Sequence, residues 1–597
     1  MRGMIDYMGG MKNIGILILS VWAWYAHAAE IMVMRITPDS SLADAVRKAR
    51  EMKRTRQVAE VTILLAPGVY QLYEPLRLRS EDSGLTIEGE GAVISGGREI
   101  SAWRAEDGLY TADIPDFNGR PIDFRQLWVN GEKAMRARDV TDFEQMHRIL
   151  TYDKQNRVLW VPLSAAAPLL QDSRLKAGCE YAEIVLHEMW CTSNLRIRSL
   201  TPQGDSVAVR FHDPEAKLQF EHPWPSPMAP DTGHPSPFYI TNAKALLDQP
   251  GEWYHDIRVR KLYYYPREGE GKATLTAIYP VVETLIEVVG TADHPVSDIT
   301  VRGVTFSYTT WMRPSEQGHV PLQAGMYLTE AYKLRPQIDR PNNHKLDNQG
   351  WLGRADAAVE VRYGENISFE GCRFEHLGGS GLDYVVGCHH GTTAKCTFRD
   401  IAMNGLVVGS FSPEGLETHR PYQPADEREV CSAQTIVQSV FHDVTNEDWG
   451  CVAIAAGYVN SINIDHNTIH DISYTGISLG WGWNRDSICM RNNRVHANLI
   501  YDYARHMYDC AGIYTLGNQP GTVVSENVVR DIARPSYVHD PDHWFYLYTD
   551  EGSSNIIIRD NWTPSEKFLQ NANGPGNIWE NNGPQVNETI KRNAGTH

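Results

Sequence analysis

Nine cysteines in 597 residues are too few for a disulfide framework, so any fold must be held by a core rather than by covalent staples. Basic residues are outnumbered, 56 Lys and Arg against 74 Asp and Glu, for a formal charge of −18. That balance argues against nucleic acid or an anionic membrane as partner. Beyond the first 28 residues no apolar run reaches the length needed to span a bilayer. After about residue 54 helical periodicity is missing, and so are any nucleophile-elbow motif for Ser or Cys catalysis and any DxD-type acid run for calcium. No cofactor motif is read. The paired histidines His389-His390 and the neighbours His539 and His543 do not make a metal-ligand set, so no metal is expected.

What is present begins with "MKNIGILILSVWAWYAHAAE", a basic start, an apolar stretch and the small-residue pattern Ala26-His27-Ala28. It reads as a secretory signal over residues 1–28, with the ten residues before Met11 as an upstream start, and it implies an exported protein, periplasmic or extracellular. Residues 29–100 open with "SLADAVRKAREMKR", whose Leu42, Ala45, Val46 and Ala49 share one helical face over 42–54. Short apolar triplets separated by Gly, Pro or acidic turns then read as solenoid coils behind a capping helix. Residues 101–280 carry longer, less regular strands such as "FRQLWVNGEKAMRARD" and "GEWYHDIRVRKLYYYP", read as an inserted β-domain.

From 281 to 597 a repeat emerges. The triplets beginning at Val304, Cys372, Cys396, Ser439, Asn467, Asn493 and Asn527 recur at shortest spacings near 24 to 28 residues, many followed by a Gly-led second strand such as "GLVVG" or "GIYTLG". Strands at that period indicate a right-handed parallel β-helix, all-β, whose last coils cover roughly 296–565. Asn467, Asn493, Asn527 and Asn561 are expected to stack as an amide ladder at one turn. Cys372 and Cys396 fall at equivalent places in successive coils, where either a thiol stack or a disulfide fits.

Function on a rigid rod belongs to one lateral face or to inserted loops. The insertions between 410 and 450 and between 481 and 550 bring Glu447, Asp448, Trp481, Trp483, His506, Tyr508, Asp509, Trp544, Asp550 and Glu551. Acids interleaved with aromatic rings suit a carbohydrate cleft, because rings stack on sugar C–H faces while two carboxyls act as acid and as base or nucleophile. Asp509 in "MYD" and Asp550 in "YTD" occupy similar junctions in neighbouring coils. Simple extended register separates them by roughly 20 Å, so "YARHMYD" must fold back across the face for them to cooperate.

At "LAPGVYQL…PLRLRSED", "GEWYHDIRVRKLYYYP", "YDCAGIY" and "YTDEG" the chain resembles glycoside hydrolase family 141. That family contains α-L-fucosidases acting on the pectic polysaccharide rhamnogalacturonan II and also endo-xylanases, and its catalytic acids match Asp509 and Asp550. The resemblance implies a poly- or oligosaccharide substrate and the two aspartates as the catalytic pair. A polysaccharide lyase or a non-catalytic carbohydrate-binding β-helix are the readings from other classes. The oligomeric state is not legible.

Overall fold

The computed structural model describes residues 32–56, 58–171, 181–229, 233–331, 349–411, 413 and 415–597. The secretory-signal segment lies outside these residues.

Three parallel sheets run the length of the rod, of 12, 9 and 10 strands, and each coil away from the two ends contributes one strand to each sheet. The burial pattern explains why: Val61, Ile63 and Leu65 of one strand point inward while their neighbours face out, the period-two alternation of a half-buried strand. Each coil hides its apolar face by lying on the next, so Ile63 pairs with Ile87, and Ile87 with Val301. In the nine-stranded sheet the aromatic ends of the triplets form a ladder. Phe374 stacks on Phe398 at 4.6 Å and Phe398 on Phe441 at 4.4 Å, the ring planes nearly parallel. The first coil is closed by the helix Leu42–Arg56, whose Leu42, Ala45, Val46 and Ala49 are buried, and the Arg50 guanidinium grips buried Asp82 through two hydrogen bonds of 2.9 and 2.7 Å.

The rod is interrupted and then resumed in register. The chain leaves it at Gly97–Ile100 and returns at Ala277–Pro280, two strands that pair antiparallel. The strand Leu85–Glu88 before the break pairs directly with Thr300–Arg302 after it. Between them lie mostly antiparallel sheets, the largest of seven strands, with the helices Leu163–Gln171 and Glu215–Glu221 added to the β-structure read from sequence.

The amide ladder departs from the expected register at one rung. Asn467, Asn498, Asn527, Asn561 and Asn582 are linked side chain to side chain at 3.0, 2.9, 2.9 and 2.8 Å, so Asn498 takes the place assigned to Asn493. Asn493 precedes the strand Arg494–His496 of a different sheet and holds another corner, accepting from the Ile462 amide at 3.2 Å. Two Asn-led triplets five residues apart look alike in sequence, and only pairing with the flanking coils tells them apart. Cys372 and Cys396 are buried free thiols in contact with one another, a stack rather than a disulfide.

Candidate active site

Two neighbouring strands of the ten-stranded sheet, Cys510–Thr515 and Trp544–Thr549, build the site. Asp509 immediately precedes the first and Asp550 immediately follows the second. Their outward side chains include Tyr514 and Tyr548, directly paired in register with rings edge to face at 5.0 Å.

Asp550 is nine-tenths buried and held on both oxygens: Tyr514 donates its hydroxyl to Oδ2 at 2.5 Å and Asn571 donates its amide to Oδ1 at 2.7 Å. Burial raises its pKa to about 6, the two donors pull it back, and the charge of Asp509 adds to the rise. Gly552 makes this packing feasible. Its φ is +77°, and a Cβ there would lie 2.1 Å from the Asn484 carbonyl oxygen, so a side chain would hold the 481–487 loop away from Asp550.

Asp509 adopts a left-handed backbone, φ +53°, which turns it out of the strand line. Its amide bonds the His543 carbonyl at 2.7 Å, its own carbonyl accepts from the Tyr474 hydroxyl at 3.0 Å, and its Oδ1 lies 3.1 Å from His543 Nε2. That contact raises the His543 pKa, favouring the imidazolium beside the carboxylate. Burial, together with the nearby charges of Asp509 and Asp550, pushes the Tyr548 pKa up. The two acids flank opposite ends of the paired strands, yet the charge of Asp509 still reaches Asp550.

Several residues expected at the cleft stand elsewhere. Trp481 is fully buried, its Nε1 donating to Thr418 Oγ1 at 3.1 Å, and presents no face to a sugar. Trp544 is buried with the Lys567 ammonium 4.0 Å over its ring. His506 stacks on Trp449 at 4.3 Å and contacts the Tyr537 hydroxyl at 2.5 Å, and burial lowers its pKa to about 3. Glu447 and Asp448 tie the inserted domain to the rod: Glu447 pairs with Lys133 at 2.9 Å and accepts from Gln126 at 2.8 Å, while Asp448 accepts from the Thr192 hydroxyl at 3.5 Å and also meets His319 of the rod side at 2.8 Å. Tyr508 is buried beside His187 of the inserted domain. Of the expected aromatics, half-buried Trp483 borders the pair, packing against the cluster that holds Tyr514 and Tyr548. Glu551 is half-buried next in chain to Asp550, its carbonyl accepting from the Gly517 amide at 3.4 Å.

Sequence reasoning did not single out Tyr474, Tyr514, Tyr548 or Asn571. The signal for Tyr514 and Tyr548 was available in "GIYT" and "YLYT", which pair in register in successive coils, but Tyr474 stands four residues earlier in its own coil, and Asn571 comes from the following coil and has no motif. Among the described residues, no group of three or more His, Cys, Asp or Glu is arranged to hold a metal ion. No helix among them is long and apolar enough to cross a membrane.

Known proteins resemble the whole chain and its inserted domain. The profile described as the GH141 insertion domain matches residues 108–267, the antiparallel segment set into the rod. A solved structure described as a glycoside hydrolase is 56% identical, with the match covering 95% of this chain and 99% of that one at a TM-score of 0.91. A surface adhesin of Streptococcus pneumoniae (10% identity, 91% of this chain, 81% of its own, TM-score 0.36) and a mannuronan C-5 epimerase module of Azotobacter vinelandii (11%, 49%, 78%, 0.23) are too distant to bear on it. Curated protein sequences offer no match. The protein is a glycoside hydrolase built on a parallel β-helix with an inserted domain, and it acts on a carbohydrate. The chain belongs to glycoside hydrolase family 141.

Proposed function

We propose that the protein is an exported α-L-fucosidase that cleaves side chains of rhamnogalacturonan II or a related pectic polysaccharide, with Asp550 as general acid and Asp509 as nucleophile or base. The observation that carries the reading is the pairing of two carboxyls in different surroundings around Tyr548. Glycosidic cleavage needs one carboxyl that keeps its proton near working pH and one that stays ionised. Asp550, with its pKa raised to about 6 by burial, suits the first role. Asp509, more open and facing a histidine whose charged form it favours, suits the second. Tyr474 and Tyr514 hold the two acids in place, and Trp483 offers a ring to the sugar.

The fucosidase specificity rests on the resemblance at "YDCAGIY" and "YTDEG"; endo-xylanase activity is the second reading from the same resemblance. Export to the periplasm or medium rests on the segment ending at Ala28. The test is turnover of nitrophenyl α-L-fucoside, of rhamnogalacturonan II fragments and of xylan by the purified full chain and by Asp509→Asn and Asp550→Asn. Release of fucose, with kcat reduced by about three orders of magnitude or more in each variant, is the expected result. Near-normal turnover in both variants overturns the assignment, and xylan cleavage without fucose release selects the second reading.

A further inference from the structure

One hairpin of the inserted domain, with the segments around Phe143 and His234, meets the rod beside Asp509. Its strands Glu183–His187 and Thr192–Gln203 are joined by a tight turn in which the Glu188 amide bonds the Cys191 carbonyl at 2.9 Å, leaving Met189 and Trp190 at the tip. The hairpin is seated against the rod. His187 Nε2 lies 2.8 Å from the His506 carbonyl, and the ring lies parallel to that of Tyr508, the residue before Asp509, at 6.5 Å. The contact with Gly450 is tight enough that a Cβ there would fall 2.7 Å from the Cys191 Cα. Three residues of chain from His187, the ring contact and one residue from Tyr508 put Trp190 within about 30 Å of Asp509, the span of an oligosaccharide of several sugars.

Trp190 is fixed, its Nε1 donating to the Leu322 carbonyl at 2.6 Å. Beyond it lies Trp224, stacked nearly parallel at 17° with ring centroids 6.5 Å apart. Trp224 is 47% exposed although it is the bulkiest residue type, and it sits between Pro223 and Pro225 in a loop pinned further on by reciprocal Met228–Ser236 hydrogen bonds of 2.9 and 3.0 Å. The flanking prolines restrict the backbone, so little conformational freedom remains to be lost on binding. A rigid, exposed indole backed by a second one is a costly surface to leave in water and a good match to the C–H face of a sugar ring.

We propose that Trp224, backed by Trp190, is a carbohydrate platform through which the inserted domain binds the oligosaccharide chain flanking the sugar cleaved at Asp509 and Asp550. The proposal rests on that pair as the place of cleavage. It makes the enzyme selective for a polymer-borne sugar over a small aryl glycoside, because only the polymer reaches both the acids and the platform.

The test compares the wild-type full chain with Trp224→Ala and Trp224→Phe on nitrophenyl α-L-fucoside and on rhamnogalacturonan II fragments. Binding is measured separately by native electrophoresis through gels containing rhamnogalacturonan II or xylan. For Trp224→Ala the expected result is unchanged aryl-fucoside turnover, a kcat/KM on the polymer fragments lower by about tenfold or more through KM, as follows from losing 1.4 kcal/mol, and weakened retardation in the gel. Trp224→Phe should recover most of each. Equal retardation of wild type and Trp224→Ala, or no retardation of the wild type in either gel, overturns the platform. The gel measurement needs no turnover, so it decides the matter even if the fucosidase reading fails and no fucose is released from any substrate.

Discussion

Replacing Asp550 by Asn should disable the enzyme and stabilise it at the same time. In the folded protein the Asp550 pKa is raised from 3.8 to about 6, chiefly by burial. Between those values the native protein holds a proton that the unfolded chain has released, so stability is lost as pH rises from about 4 to 6. A shift of about two units corresponds to about 3 kcal/mol. Asn cannot ionise, and its amide group can still meet Tyr514 and Asn571, so the variant escapes that loss. Relative to the parent, Asp550→Asn should therefore gain about 3 kcal/mol of stability between pH 4 and pH 7, with little of the gain present at pH 4. Urea unfolding followed by far-ultraviolet circular dichroism at pH 4, 5, 6 and 7 measures the difference, and fucoside turnover on the same samples reports the loss of activity. A stability difference that is flat across this range would refute the claim that burial, rather than the hydrogen bonds, dominates at Asp550.

Tyr514→Phe removes a donor to the ionised form of Asp550, so the Asp550 pKa should rise further by about one to two units, the worth of a hydrogen bond to a charged group; the alkaline limb of kcat/KM against pH should move upward, and a limb that stays in place or moves downward contradicts the assignment of Asp550 as acid. Asn527→Ala cuts the amide ladder between Asn498 and Asn561, removing the acceptor of the buried Asn498 backbone amide and the side-chain donor to the Val495 carbonyl; a loss of about 3 to 5 kcal/mol in urea unfolding is expected, whereas Arg592→Ala, exposed on a short helix, should change little.

The repeat was legible because solenoid coils are built from local signals. Apolar triplets, turn residues and the run of Phe306, Phe374, Phe398 and Phe441 each mark one corner of one coil, and stacking requires nothing from distant sequence. The capping helix over Leu42–Arg56 was legible for the same reason, from its own apolar face. Asp509 and Asp550 could be named because their junctions resemble those of a known family. What each side chain faces was a matter for the tertiary structure alone. Asn493 and Asn498 carry the same residue type within one coil, and only the neighbouring coils select Asn498 for the ladder. Trp481 and Trp483 are two residues apart in one motif, yet the chain around Thr418 covers the first and leaves the second partly open. Glu447 and Asp448 look like cleft acids until the inserted domain, more than 250 residues away in sequence, supplies Lys133, Gln126 and Thr192 to them. No periodicity records such contacts, because burial and pairing between distant segments arise only when the insertion folds back and docks on the rod.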